Sequence, residues 1–245
     1  MTSVEPDLSV VVPVYNEEES LPPLWAEIQE ALESTGLAYE VIFVDDGSRD
    51  RSAEVIREFL AKDPRVRLIR FAANAGETAA NDAGLKAARG QRVVTMDADL
   101  QNDPRDIPKL VSYLAEWDAV TGWRVARHDS WIRRMSSRIA NLVRNALSRE
   151  TIRDSGCTFR AFRRECLRDL RLYRGLHRFI PTLLRIEGYR VLEVPVNHRP
   201  RRFGRSKYGI SNRAFGAFYD LLVIRWMKDR QLAYRIVEDT GASGG

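Results

Sequence analysis

Short apolar runs alternate with amphipathic stretches through the first half of the chain. Leu8–Val14, residues 39–44, residues 66–71 and the run Val93-Val94-Thr95-Met96 are rich in Val, Ile and Phe and bounded by turn residues, so they read as buried strands. Between them, residues 21–32 carry apolar side chains at helical spacing, residues 53–60 do so after the cap candidate Asp50, and residues 78–88 are rich in alanine. Strands alternating with helices predict an α/β fold with a mostly parallel sheet and right-handed crossovers. Polar residues follow each strand: Pro13-Val14-Tyr15-Asn16-Glu17, Asp45-Asp46-Gly47-Ser48, Asn74-Ala75-Gly76 and Asp97-Ala98-Asp99-Leu100-Gln101. In a parallel sheet those segments gather at one edge, where such sheets bind ligands.

The second half reads differently. Residues 131–147 place Ile132, Met135, Ile139, Leu142, Val143 and Ala146 on one side of a predicted helix, with Arg133, Arg134, Arg138 and Arg144 around the rest. That helix is either a phosphate-gripping element or a core helix with solvated arginines. Residues 199–208 contain Pro, Gly and five cations, the composition of a loop able to close over a diphosphate. Residues 214–227 are aromatic-rich, interrupted by Asp220 and Arg225 and followed by Lys228 and Arg230. They fit a helix lying at a membrane headgroup boundary, or one closing the core. The expected organisation is one domain over residues 1–235, with a nucleotide- and metal-binding half (1–121), a basic acceptor-binding half (122–213), an interfacial helix (214–235) and a disordered tail (240–245).

The charge distribution supports that division. The chain of 245 residues has a net charge of only +5, but residues 1–121 hold 12 Lys+Arg against 23 Asp+Glu, and residues 122–215 hold 23 against 7. The basic half should therefore meet anions: a lipid phosphate with anionic headgroups, a donor diphosphate or nucleic acid; its plainer reading is a solvated face. No apolar run approaches the ~18 residues of a spanning helix and no leader segment is evident, so a cytosolic protein is expected. Cys157 and Cys166 fit neither a redox nor a zinc spacing and should be reduced.

Asp97 and Asp99 carry the sharpest chemistry. On alternation along a strand they would point the same way, and two hard oxygen donors at a strand end suit Mg²⁺ or Mn²⁺ holding a diphosphate. A turn before Pro104 is the competing reading. Asp45 and Asp46 could accept from a base N–H or ribose hydroxyls, with Gly47 leaving room for a close approach; an ordinary turn and helix cap explains them equally. No Gly-x-Gly-x-x-Gly or P-loop run occurs, and His128, His177 and His198 form no recognisable nucleophilic set, so each reads as a surface or packing residue.

Taken together and in this order, the segments at 13–17, 45–48 and 97–101 resemble family 2 glycosyltransferases of the GT-A fold. Asp129-Ser130-Trp131, the run from Asp154-Ser155-Gly156 to Arg164, and Phe203-Gly204-Arg205-Ser206-Lys207-Tyr208 are similar to the polyprenyl-phosphate glycosyltransferases, closest to undecaprenyl-phosphate aminoarabinose transferases, with dolichyl-phosphate mannose synthases more distant. The resemblance runs from about Leu8 to about Leu222. It departs at Glu77, where those relatives usually carry Gln, and in lacking the two membrane helices that many of them have.

The resemblance implies inverting, metal-dependent transfer from a UDP- or GDP-sugar to a polyprenyl phosphate at the cytoplasmic membrane face. Asp99, supported by Asp97 and Gln101, would hold Mg²⁺ or Mn²⁺, and Asp99, Arg202 and Lys207 would be catalytic. Pro13, Tyr15, Glu17, Asp45, Asp46, Asp97, Arg124, Arg134, Arg138, Asp154 and Ser206 would bind substrate, and Cys157 would lie near the site. The expected partners are the nucleotide sugar, the lipid, an anionic membrane surface and a membrane-embedded subunit supplying the anchor, without nucleic acid. A soluble acceptor, a nucleic-acid-binding module and a catalytically silent scaffold are the alternatives.

Overall fold

The computed structural model describes residues 5–125, 152–203 and 211–232. The predicted helix at 131–147, the loop residues after Phe203 and the tail lie outside them. Seven strands, β1 (Leu8–Val14), β2 (Tyr39–Asp45), β3 (Val66–Arg70), β4 (Arg92–Thr95), β5 (Ala119–Arg124), β6 (Arg160–Arg163) and β7 (Val191–Val196), form one sheet in the order β3-β2-β1-β4-β6-β5-β7. The pairings of β1, β2, β3 and β4 are parallel, as is β5 with β7, and β6 runs antiparallel to both its neighbours.

The helices are α1 (Leu21–Glu33), α2 (Ser52–Lys62), α3 (Glu77–Ala87), α4 (Ile107–Ser112), α5 (Ile180–Ile186) and α6 (Ser211–Asp229). The central strands are buried on both faces, which explains their unbroken apolar runs. Val10 and Val12 pack with Leu24 and Ile28 of α1 and Leu110 of α4; Val11 faces the other way, onto Ala80 and Leu85 of α3. Gly84 permits that second contact, because a Cβ there would collide with Val11. β1 has the expected bounds, the other described elements of the first half differ by a residue or two at their ends, and α6 begins three residues before the expected 214. The expected cap Asp50 lies one residue before the α2 N-cap position, Arg51, and accepts from the Ser52 amide at 3.0 Å.

This order makes β1 the switch point. The chain leaves β1 for β2 on one side and returns to β4 on the other, so the loops after β1 and β4 diverge and open a crevice between them. Helix α6 closes a smaller core, with Leu221 and Ile224 against Leu176, Phe179 and Leu183.

Candidate functional site

The crevice is a cleft of about 320 Å³ whose lining includes Pro13, Tyr15, Glu17, Asp46, Asn74, Glu77, Asp97, Asp99 and Arg201. Asp97 and Asp99 share it, but strand alternation is not the reason. β4 ends at Thr95, and both aspartates stand in the loop beyond. Thr158 Oγ1 donates to Asp97 Oδ2 at 2.5 Å, the Asp97 amide donates to Asn102 Oδ1 at 2.9 Å, and Gln101 N donates to Asp99 Oδ1 at 3.1 Å. Buried Leu100 takes a φ of 63°, a region costly for a bulky side chain, and this tight turn brings the second carboxylate back to the cleft.

The electrostatics of this floor are unbalanced. Burial first, then the neighbouring Asp99 and Glu77 carboxylates, push Asp97 up to about 7 against the Thr158 bond. Asp99 is neutralised from outside: Arg201 Nη2 lies 2.6 Å from its Oδ2, and Arg201 Nη1 lies 3.5 Å from Glu17 Oε1. A guanidinium thus occupies the electrostatic place of a cation. Among the described residues no group of three or more His, Cys, Asp or Glu side chains could hold a metal by itself. Two carboxylates sharing one cleft, Asp99 met by Arg201 and Asp97 shifted by burial, nevertheless fit a divalent ion whose remaining ligands are water and substrate phosphates.

Asp46 and Asp45 divide their expected role. Asp46 lines the cleft while its carboxylate accepts from Asn74 Nδ2 (2.8 Å), Ala75 N (2.6 Å) and Gly76 N (2.9 Å), which fixes the loop leading into α3. Asp45 is fully buried, accepting from Ser48 N at 2.9 Å and facing Arg70 Nε at 3.0 Å. It shapes the turn from beneath, so the expected contact with a base or ribose is corrected. Gly47 does allow a close approach, but the approaching group is the chain itself: a Cβ there would stand 2.6 Å from the Ala73 carbonyl carbon.

Among the described residues, the basic half contributes less to the cleft than its charge suggests. Arg124 makes a two-pronged pair with buried Asp154 (2.7 and 2.9 Å) that ties the end of β5 to the segment before β6 and stands outside the lining. Gln101 donates to the Arg199 carbonyl at 3.4 Å rather than joining the lining. Arg202 is exposed, and Cys157 packs in the core. Burial pushes the Cys157 thiol up to about 11, and both cysteines are free. Arg134, Arg138, Ser206 and Lys207 lie outside the described residues.

Arg201, Glu77 and Asn74 are the polar cleft residues that the sequence did not single out as site residues. Arg201 is one of five cations in the predicted lid, and only its position tells it from Arg202. Arg199 explains that position, reaching Glu27 and Asp103 at 2.6 Å each and pinning the segment against α1 and the acidic loop.

Residues 9–171 match the family description Glycosyl transferase family 2. The chain is 38% identical over 224 residues to dodecaprenyl-phosphate galacturonate synthase of Rhizobium johnstonii, and 40% identical over 218 residues to undecaprenyl-phosphate 4-deoxy-4-formamido-L-arabinose transferase of Edwardsiella ictaluri. These alignments cover 89% and 88% of this chain, which spans 66% of the length of either relative. Glucosyl-3-phosphoglycerate synthase of Mycobacterium tuberculosis, solved with Mn²⁺, UDP-glucose and phosphoglyceric acid, superposes with a TM-score of 0.67 at 22% identity, over 96% of this chain and 82% of that one. The sheet order, the acidic crevice and these matches agree on the GT-A fold, and the chain belongs to glycosyl transferase family 2.

Proposed function

We propose that this chain moves a sugar from a UDP- or GDP-sugar to a polyprenyl phosphate, with inversion, at a membrane surface. The observation that carries the reading is the pair Asp97 and Asp99 at the switch point, with Asp97 held at about 7 by burial and unbalanced negative charge. Bound there, Mg²⁺ or Mn²⁺ would neutralise charge developing on the leaving diphosphate. Asp99 and Asp97 would hold it. Asp46 keeps the Asn74–Gly76 loop in place along the nucleotide, and Arg201 is positioned to move from Asp99 to a phosphate once that carboxylate has another partner. Arg202 and Lys207 are proposed to add positive charge from the same segment.

The acceptor needs little activation, since a phosphate monoester with a second pKa of about 6 is already an anion at neutral pH. That suits a cleft in which His177 is bonded to Thr78 and Glu77 rather than aimed at a nucleophile. Both named relatives handle polyprenyl phosphates, which supports the lipid acceptor.

Helix α6 supports the membrane location. Leu221 and Ile224 are buried, whereas Tyr219, Leu222 and Trp226 form an exposed stripe at helical spacing, with Lys228 and Arg230 at its end. It closes a core on one side, and its exposed side supports the reading of an interfacial face. No helix among the described residues is long and apolar enough to cross a membrane.

Product analysis tests the proposal. Incubation with undecaprenyl phosphate, Mg²⁺ and a panel of nucleotide sugars should yield one glycosyl-phosphoryl lipid of inverted configuration. Transfer to a water-soluble acceptor alone would overturn the lipid assignment.

A further inference from the structure

Asp97 stands in a loop beyond the last residue of β4, and a loop does not by itself hold a side chain at one angle. Among the described residues its carboxylate accepts one side-chain hydrogen bond, from Thr158, 61 positions along the chain, whose Oγ1 donates to Oδ2 at 2.5 Å. Thr158 otherwise has no task in the proposed transfer. Its own backbone is firmly fixed. The Thr158 carbonyl accepts from Thr95 Oγ1 at 2.7 Å, and the carbonyl of buried Phe159 accepts from Gly122 N at 2.9 Å. Arg160, the next residue but one, is buried on the carbonyls of His177, Ser155 and Arg178 and pairs in register with Thr95 across β4 and β6. The hydroxyl that meets Asp97 is thus carried by the sheet.

We infer that Thr158 is a positioning residue for the cation site, engaging one oxygen of Asp97 so that the other is presented to a divalent ion. The inference rests on the metal-dependent reading and adds to it a residue outside the carboxylate pair. A threonine hydroxyl has a single proton, and donating it to Oδ2 fixes the torsion of the carboxylate. Oδ1 accepts no hydrogen bond among the described residues, and Asp97 lines the cleft. The β-branched side chain has few rotamers, which keeps the donor in place. Thr158 also differs from the other side chain that reaches this floor from the second half. Arg201 brings a positive charge to Asp99 and competes with a cation there, whereas the neutral hydroxyl on Asp97 is compatible with one. Carboxylates that ligate metals are commonly oriented by such an outer hydrogen bond, and losing it costs about 10–100-fold in metal affinity.

Calorimetric titration of UDP and of GDP over a series of Mn²⁺ concentrations tests this. Thr158→Val keeps the shape of the side chain and removes its proton. The Mn²⁺ concentration that gives half of the metal-dependent gain in nucleotide affinity should rise by about 10–100-fold in that variant, while the affinity in chelator holds. Thr158→Ser, which restores the hydroxyl, should recover most of the loss; should Thr158→Val not fold, Thr158→Ala takes its place with the same expectation. An unchanged Mn²⁺ requirement in the variant without the hydroxyl, no recovery in Thr158→Ser, or an equal loss of affinity in chelator, the mark of a merely structural residue, would overturn the inference. A wild-type protein whose affinity for both nucleotides ignores Mn²⁺ would instead overturn the metal-dependent reading, and the inference with it.

Discussion

The acidic first half and the basic second half use charge in opposite ways. In the first, carboxylates stand in the cleft: Asp46 is held in place by a loop, Asp97 by one hydroxyl, and Asp99 is met by a single arginine. In the second, the described arginines are mostly occupied with the protein itself. Arg124 clamps Asp154, Arg160 is fully buried on the carbonyls of His177, Ser155 and Arg178, Arg163 donates to the Leu114 and Ala115 carbonyls, and Arg178 meets Asp220. A regional excess of arginine is thus a poor guide to an anion site, because guanidinium also serves to satisfy buried carbonyls. Among the described residues of that half, Arg201 is the one that lines the cleft.

The largest effect should separate the halves outright. Asp99→Asn should lower kcat/KM by roughly 10²–10³-fold, the scale of losing one group that stabilises transition-state charge, while the melting temperature holds or rises. Arg124→Ala should do the reverse: stripping one partner from a largely buried pair costs about 3–5 kcal/mol of stability, read by chemical denaturation. Exposed Arg202→Ala should leave stability unchanged and appear only in kinetics, so a large stability loss there would break the comparison.

Smaller effects sharpen it. Trp226→Ala, on the exposed stripe of α6, should weaken sedimentation with anionic vesicles by roughly tenfold, in line with burying one large aromatic side chain. Arg201→Ala should tighten Mn²⁺ binding in the absence of nucleotide by roughly fivefold, because it removes a cation from Asp99 worth about 1 kcal/mol. Weaker binding in that variant would mean that Arg201 organises the site rather than occupying it.

Much of this was legible in the sequence where one local rule governs. β1 and β2 are apolar through residues 10–14 and 41–44 because both faces are covered, and the polar residues that follow mark the cleft edge. The strands β5, β6 and β7 were not legible: β6 is four residues long, and what places it antiparallel is pairing with strands distant in the chain. Within the site, Pro13, Tyr15, Glu17, Asp46, Asp97 and Asp99 came together as expected. Asp45 and Asp46 are neighbours of the same type, and the end of β2 separates them: Asp45, its last residue, lies beneath the cleft and Asp46, just beyond it, lines it. Likewise, nothing within the run Arg199-Pro200-Arg201-Arg202 separates its arginines; the bonds of Arg199 to Glu27 and Asp103 do.

The central claim is that the acidic floor is built for a cation together with a nucleoside diphosphate. Calorimetric titration of UDP and GDP, with Mn²⁺ and then with chelator, tests it most directly. One of the two should bind measurably with Mn²⁺, lose at least about tenfold in affinity with chelator, and lose the same amount in Asp99→Asn with the metal present. Equal affinity with and without the metal, and in Asp99→Asn, would contradict the account.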